Sequence, residues 1–212
     1  MIWSAANIAV KGSPDDVRAL ADAINSLPGR PGSAEGDFGP FWLGNLVAAL
    51  GGDPWRIPCR GVLCPNPDLE PCFSAPKPDI RERVAVGNDG ILRFSVVMPY
   101  ILDNGLLRFL KKVFPSVDFR YKVTDEEGSY HYRHDPDDIL GDVAFSVKEN
   151  DRVSDYRRDQ REEFVGHVNR ITGFRLGIST PDEEIADAFA RWADSLPGDE
   201  GQWNEITIWK EI

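Results

Sequence analysis

Val117-Asp118-Phe119-Arg120-Tyr121-Lys122-Val123-Thr124, followed by Asp125-Glu126-Glu127-Gly128 and then Ser129-Tyr130-His131-Tyr132-Arg133, is the stretch that decides the fold. Val117, Phe119, Tyr121 and Val123 alternate with Asp118, Arg120, Lys122 and Thr124. This period of two marks a strand with one dry face and one wet face. Asp125 to Gly128 reads as a hairpin turn, with Gly128 free to take positive φ. Tyr130 and Tyr132 then alternate with Ser129, His131 and Arg133 on the return strand. A hairpin wet on one side belongs to an antiparallel sheet whose other side is covered.

The neighbouring segments extend this pattern. Upstream, Ile91 to Val97 reads as a strand after the turn Gly87-Asn88-Asp89-Gly90. A helix follows, capped by Asp103 or Asn104, carrying Leu106, Leu107, Leu110, Val113 and Phe114 and ended by Pro115. Downstream, Val143, Phe145 and Val147 alternate on a further strand. At the N-terminus, residues 2–11 form a strand with Ile8 and Val10 on one face. Ser13-Pro14-Asp15-Asp16 then starts a helix: Ser13 caps, Pro14 suits the first turn, and the two acids sit at the positive end of the dipole. Val17, Leu20, Ile24 and Leu27 recur at helical spacing before Pro28-Gly29. Residues 28–40 read as a loop, Phe41 to Leu50 as a short helix ended by Gly51-Gly52, and Cys59 to Leu63 as a short strand.

The C-terminal third is read in the same way. Residues 154–172 are taken as helix, on Phe164, Val168 and Ile171. Leu176 to Ser179 is taken as a short strand. Thr180-Pro181-Asp182-Glu183 is a capped start with Glu183 in the capping-box position. Ile185, Phe189, Trp192 and Leu196 make the stripe that follows, and Ile206 and Ile208 lie on a last strand. The segment Thr180 to Gly198 echoes Ser13 to Gly29, each placed after a strand, so two related halves are a candidate arrangement. The fold class is therefore α+β and ferredoxin-like, an antiparallel sheet with helices mainly on one face. The expectation is one domain over 1–212, with a candidate sub-boundary in the Pro-rich segment 64–86, which holds Pro65, Pro67, Pro71, Pro76 and Pro78.

Composition bounds the function. Hydrophobic residues are 42% and charged residues 28% of 212, ordinary values that imply a packed core. No apolar run approaches the ~20 residues of a membrane span, and the N-terminus lacks a signal-peptide pattern, so the expected location is the cytoplasm, with no membrane partner. Cys59, Cys64 and Cys72 are an odd number, spaced C-x4-C-x7-C, which fits reduced thiols better than zinc. No cofactor is expected. The net charge of −11 argues against direct nucleic-acid binding. Acids concentrate between Asp125 and Asp142 and between Pro181 and Ile212. Such clusters are most often solvated faces, and otherwise they meet a basic protein partner.

Each candidate site also has a plain structural role. His131 and His134 are an odd number of residues apart, so a strand points them to opposite faces and joint metal ligation fails. Asp135, Asp137 and Asp138 lack the spacing of a calcium loop. His167 sits among Phe164, Val165 and Val168 as a packing residue. No phosphate loop, nucleophile elbow or metalloprotease motif occurs. Trp42 and Trp55 flank a Gly/Pro-rich region and are candidate interface aromatics.

Trp3 and Asn7-Ile8-Ala9-Val10-Lys11-Gly12, followed at once by a capped helix, together with Asn45-Leu46, Leu50-Gly51-Gly52-Asp53 and Cys59-Arg60-Gly61, resemble the YubB type, a ferredoxin-like family of plasmids, phages and other mobile elements. The resemblance implies a ferredoxin-like fold and a mobile-element setting. It implies no activity, cofactor or site residue.

The reading favours a non-enzymatic cytoplasmic interaction module. In its sharper version it is a phage or mobile-element inhibitor whose acidic surface blocks a basic, nucleic-acid-binding host-defence protein. Asp125, Glu126, Glu127, Asp135, Asp137 and Asp138 would carry that surface, with Glu183, Glu184 and Asp187 second. One alternative is a small-ligand binder or enzyme with its site near Cys59, Arg60 and the Pro-rich loop. Another is a self-assembling structural module; the sequence leaves the oligomeric state open.

Overall fold

The computed structural model describes residues 3–30, 38–57, 59–66, 78–99, 104–125, 131–141, 143–150, 152–197 and 204–211. The chain divides into two compact units, the first running through Leu140 and the second from Gly141 to Glu211. The Pro-rich segment 64–86 is not where the division falls. The strands on either side of it are neighbours in one sheet, which holds that stretch inside the first unit. Among the described residues no helix is long and apolar enough to cross a membrane.

The first unit contains β1 (Trp3–Lys11), α1 (Pro14–Asn25), α2 (Leu43–Ala49), β2 (Val62–Cys64), β3 (Leu92–Pro99), α3 (Asn104–Val113), β4 (Asp118–Asp125) and β5 (His131–His134). Its strands lie in the order β2-β3-β1-β4-β5, each antiparallel to the next. β1 and β2 therefore run parallel with β3 between them, and β3 and β4 run parallel with β1 between them. These two interlocked split β-α-β units are the ferredoxin-like arrangement. β5 extends the sheet as the return strand of the predicted hairpin and runs on to His134; Ser129 and Tyr130 lie outside the described residues. The turn residues 126–128 and Asp103 lie outside the described residues.

Register explains the two faces. On one face Ile8 lies between Phe94 and Tyr121, Ala6 between Val96 and Val123, and Val10 between Leu92 and Phe119. The same core takes in Val17, Leu20 and Ile24 of α1 and Leu106, Leu110 and Phe114 beside α3. On the other face Asn7 lies between Ser95 and Lys122, and Ala9 between Arg93 and Arg120. Ser95 Oγ donates to Asn7 Oδ1 at 2.8 Å. Ala9 is nonetheless fully buried, as expected where long arginine stems lie across a small residue while their heads reach water.

The start of α1 is built as read. Ser13 Oγ accepts from Asp16 N at 3.3 Å. Asp16 Oδ2 in turn accepts from both Ser116 N at 3.1 Å and Ser116 Oγ at 2.6 Å. These Ser116 hydrogen bonds, the side-chain one foremost, hold the Asp16 carboxyl below its ordinary value.

The second unit contains β6 (Val143–Glu149), β7 (Arg152–Arg157), α4 (Arg161–Thr172), α5 (Asp182–Asp194) and β8 (Asn204–Ile208), with strand order β7-β6-β8. Phe145 and Phe164 stack at 4.5 Å in its core, beside Val147, Val168, Ile185 and Phe189. Three expectations change here. The segment 154–172 is a strand end, a short 3-10 turn and then a helix, because Ser154 and Tyr156 pair with β6. Leu176 to Ser179 is not a strand; Leu176 N and O bond to the Asn169 side chain instead. Thr180 does not cap α5: its Oγ1 accepts from Gly177 N, closing the turn before the helix.

Two outcomes test this description. Asp135 is 1% exposed, and its carboxylate accepts from Ile139 N at 2.9 Å and Leu140 N at 2.7 Å. Asp135→Ala leaves both donors without an acceptor and is expected to cost about 2 kcal/mol in urea unfolding. Asp16 has a folded pKa below its unfolded one, so its contribution is present above about pH 4 and lost as pH falls through the folded value. In an NMR titration Ser116→Ala is expected to move the Asp16 pKa back up toward 3.8.

Candidate binding site

The site lies where α2 meets β2. Trp42 precedes α2 and bridges to Val62, with Leu43 N donating to Gly61 O at 3.0 Å and Leu63 N to Phe41 O at 2.9 Å. Gly61 takes φ +138°, and a Cβ there would stand 2.5 Å from Val97 O. Gly44 is required for a different reason. A Cβ there would lie 2.3 to 2.5 Å from Cζ2, Cη2 and Cε2 of Trp42, so the indole rests directly on the helix backbone.

After Gly52 the chain turns over this indole. Asp53 Oδ1 accepts from Trp55 N at 3.0 Å, and Asp53 O accepts from Arg56 N and Ile57 N. An aspartate holding the backbone two residues on is a standard turn device. Cys59 is buried, and its Sγ donates to Pro54 O at 3.2 Å. The result is a cavity of about 240 Å³ lined by Trp42, Pro54, Trp55, Arg56, Ile57, Cys59 and Arg60. The two indole rings stand 6.4 Å apart at 59°. Trp55 is 69% exposed and Trp42 only 4%. Arg56 lies 3.4 Å from Asp53.

Of the two candidate interface aromatics, Trp55 is exposed and Trp42 is the buried floor beneath it. The acidic residues are dispersed. Asp125 shares the core face of β4 with Phe119, Tyr121 and Val123 and is 3% exposed, because strand alternation places every second residue inward. Asp135 is the buried turn acceptor described above. Asp137 takes Arg120 Nη2 at 2.9 Å and Lys11 Nζ at 3.5 Å. The Arg120 hydrogen bond, with Lys11 adding, holds its carboxyl below the ordinary value. Asp138 pairs with buried Arg133. Glu126 and Glu127 lie outside the described residues. Glu183, Glu184 and Asp187 are on the exposed side of α5, with Glu183 3.0 Å from Lys210 Nζ.

No family model, curated protein or solved structure matches the chain.

Two other constellations lie apart from the recess. A cavity of about 500 Å³ lies by Glu82, Arg83 and Arg93. Arg93 is tied to Asp89 at 2.7 Å, Arg83 donates to two backbone carbonyls, and Pro65 and Asn66 are part of the described lining. In the second unit Tyr156 Oη is 2.6 Å from Nδ1 of buried His167, whose Nε2 is 3.7 Å from Glu149. This matches the packing role read for His167. Among the described residues no group of three His, Cys, Asp or Glu side chains converges on a metal position.

Sequence reading pointed at Cys59, Arg60 and Trp55 separately and missed Pro54, Arg56 and Ile57. The usable signal was the run Pro54-Trp55-Arg56 beside Arg60.

Gly44→Ala is expected to push the Trp42 indole off α2, lowering stability by about 2 kcal/mol and shifting the Trp42 indole N–H resonance. Gly166→Ala, at an exposed position of α4 where a Cβ meets nothing within 4 Å, is expected to raise stability by about 1 kcal/mol. Urea unfolding of both variants checks the opposite signs.

Proposed function

We propose that this chain is a non-enzymatic interaction module that engages its partner through the Trp42–Arg60 recess. One observation carries the reading: an indole left 69% exposed over a cavity floored by a second, buried indole and edged by Arg56 and Arg60. Large exposed aromatics cost solvent contact, and Trp and Arg are the residue types that most often anchor protein interfaces. Size supports an anchor pocket over a free-metabolite site. About 240 Å³ falls below the ~300–1,000 Å³ usual for small-molecule pockets and suits one inserted group.

The acidic-surface version draws less support. Asp125 and Asp135 are buried, and Asp137 and Asp138 are engaged by cations, so most of the described acids of that strip offer little uncompensated charge. Its remaining described acids are those of α5.

The test compares four tagged baits: the native chain, Trp55→Ala, Arg60→Glu, and a triple Glu183→Lys, Glu184→Lys, Asp187→Lys variant. A partner held by the native chain is expected to bind Trp55→Ala and Arg60→Glu at least tenfold more weakly, and the triple variant about equally. Loss on the α5 variant with full retention on Trp55→Ala would overturn the recess and return the acidic surface to first place.

A further inference from the structure

The geometry points to a second copy of this chain as the partner of the outer face of α4, packed antiparallel about a two-fold axis at Gly166. The helix buries Phe164, Val165, His167 and Val168 and turns Glu162, Glu163, Gly166 and Arg170 to solvent. Gly166 stands in the middle of that outer face. Its φ lies outside the left-handed region, and a Cβ on it would meet nothing within 4 Å. The fold therefore gains nothing from a residue that costs about 1 kcal/mol against alanine in a helix interior. A missing side chain does serve a neighbour: it lets a second helix approach to the short end of the ~8–10 Å range of packed helices.

The charges on either side of the glycine match such a neighbour. Residues four apart share a helix face. Glu162 comes four before Gly166, and Arg170 four after it. In an antiparallel pair crossing at Gly166, Glu162 of one copy faces Arg170 of the other, with Glu163 beside it. Two-fold symmetry makes that match twice. Arg161 pairs with Asp182 and His167 lies by Glu149, but among the described residues no ion pair uses Glu162, Glu163 or Arg170.

Exposed apolar residues border the same helix. After Gly173 the chain runs back along α4. The Asn169 side chain holds Leu176 N at 2.8 Å and Leu176 O at 2.9 Å beside the last turn. Arg161, in the first turn, donates to Ile178 O at 2.8 Å and Thr180 O at 2.6 Å. This braced stretch leaves Phe174 37% and Ile178 54% exposed. Phe174 follows the C-terminal end of α4, and Ile178 is tied to its N-terminal end. The same two-fold brings Phe174 of one copy to Ile178 of the other and takes apolar surface of both out of water.

Other occupants fit half of this face. An anionic membrane or an acidic peptide meets Glu162 and Glu163, and a basic partner meets Arg170 and Arg175. A surface with both signs in reverse order fits throughout, and a second copy carries them in that order.

Sedimentation equilibrium of the full chain over a concentration series tests the pairing. The native chain is expected to dimerise. Gly166→Gln is expected to weaken the dimer about tenfold or more, while urea unfolding of the dilute protein shows no loss of stability. Arg170→Glu alone, and Glu162→Arg with Glu163→Arg, are each expected to weaken it about tenfold or more, because like charges then face each other. Mixing those two variants is expected to give a heterodimer within about threefold of the native affinity. A native chain that stays monomeric at about 1 mM overturns the inference. So does a dimer that survives Gly166→Gln and both charge reversals, and so does a mixture that stays monomeric after each variant alone has lost the dimer.

Discussion

The first unit depends on the register of β1 between β3 and β4. One strand, Trp3–Lys11, is paired over nearly its full length on both edges, so a single alternation of residues assigns the faces of three strands at once. Ile8 fixes Phe94 and Tyr121 inward, and Ala9 fixes Arg93 and Arg120 outward. A slip by one residue would bury four charged side chains and expose the core row. The same register makes Asp125 an inward residue and places Arg133 beside Lys122 on the polar face.

The recess inherits its position from this frame. β2 joins the sheet through β3, with Val62 opposite Val97, and Trp42 bridges to the outer side of Val62. The floor indole is thus held by sheet pairing on one side and by the bare backbone of Gly44 on the other. The mouth is held by the Asp53 turn and the Cys59 thiol contact.

Elements with strong local periodicity were legible in the sequence. The α1 cap, the stripes of α3 and α5, and the alternation of β4 all follow from neighbours within a few residues. What could not be read depends on distant partners. β7 is a strand because β6 lies beside it; Arg152-Val153-Ser154-Asp155-Tyr156-Arg157 has one aliphatic residue and leaves it 62% exposed. The acidic strip looked like a surface because charge counts ignore direction, whereas alternation and turn bonding turned Asp125 and Asp135 inward. The recess was half legible: its residues fall within twenty positions, but nothing local says that the indole of Trp42 folds back onto Gly44.

β2 carries one more consequence. It has three residues, lies at the end of the strand order, and is followed at once by Pro65. A foreign strand seeking to add itself there finds a short template ended by a residue with no N–H, with Trp42 already occupying Val62. On that side the sheet offers another chain little edge to extend, close to where the indole of Trp55 is exposed.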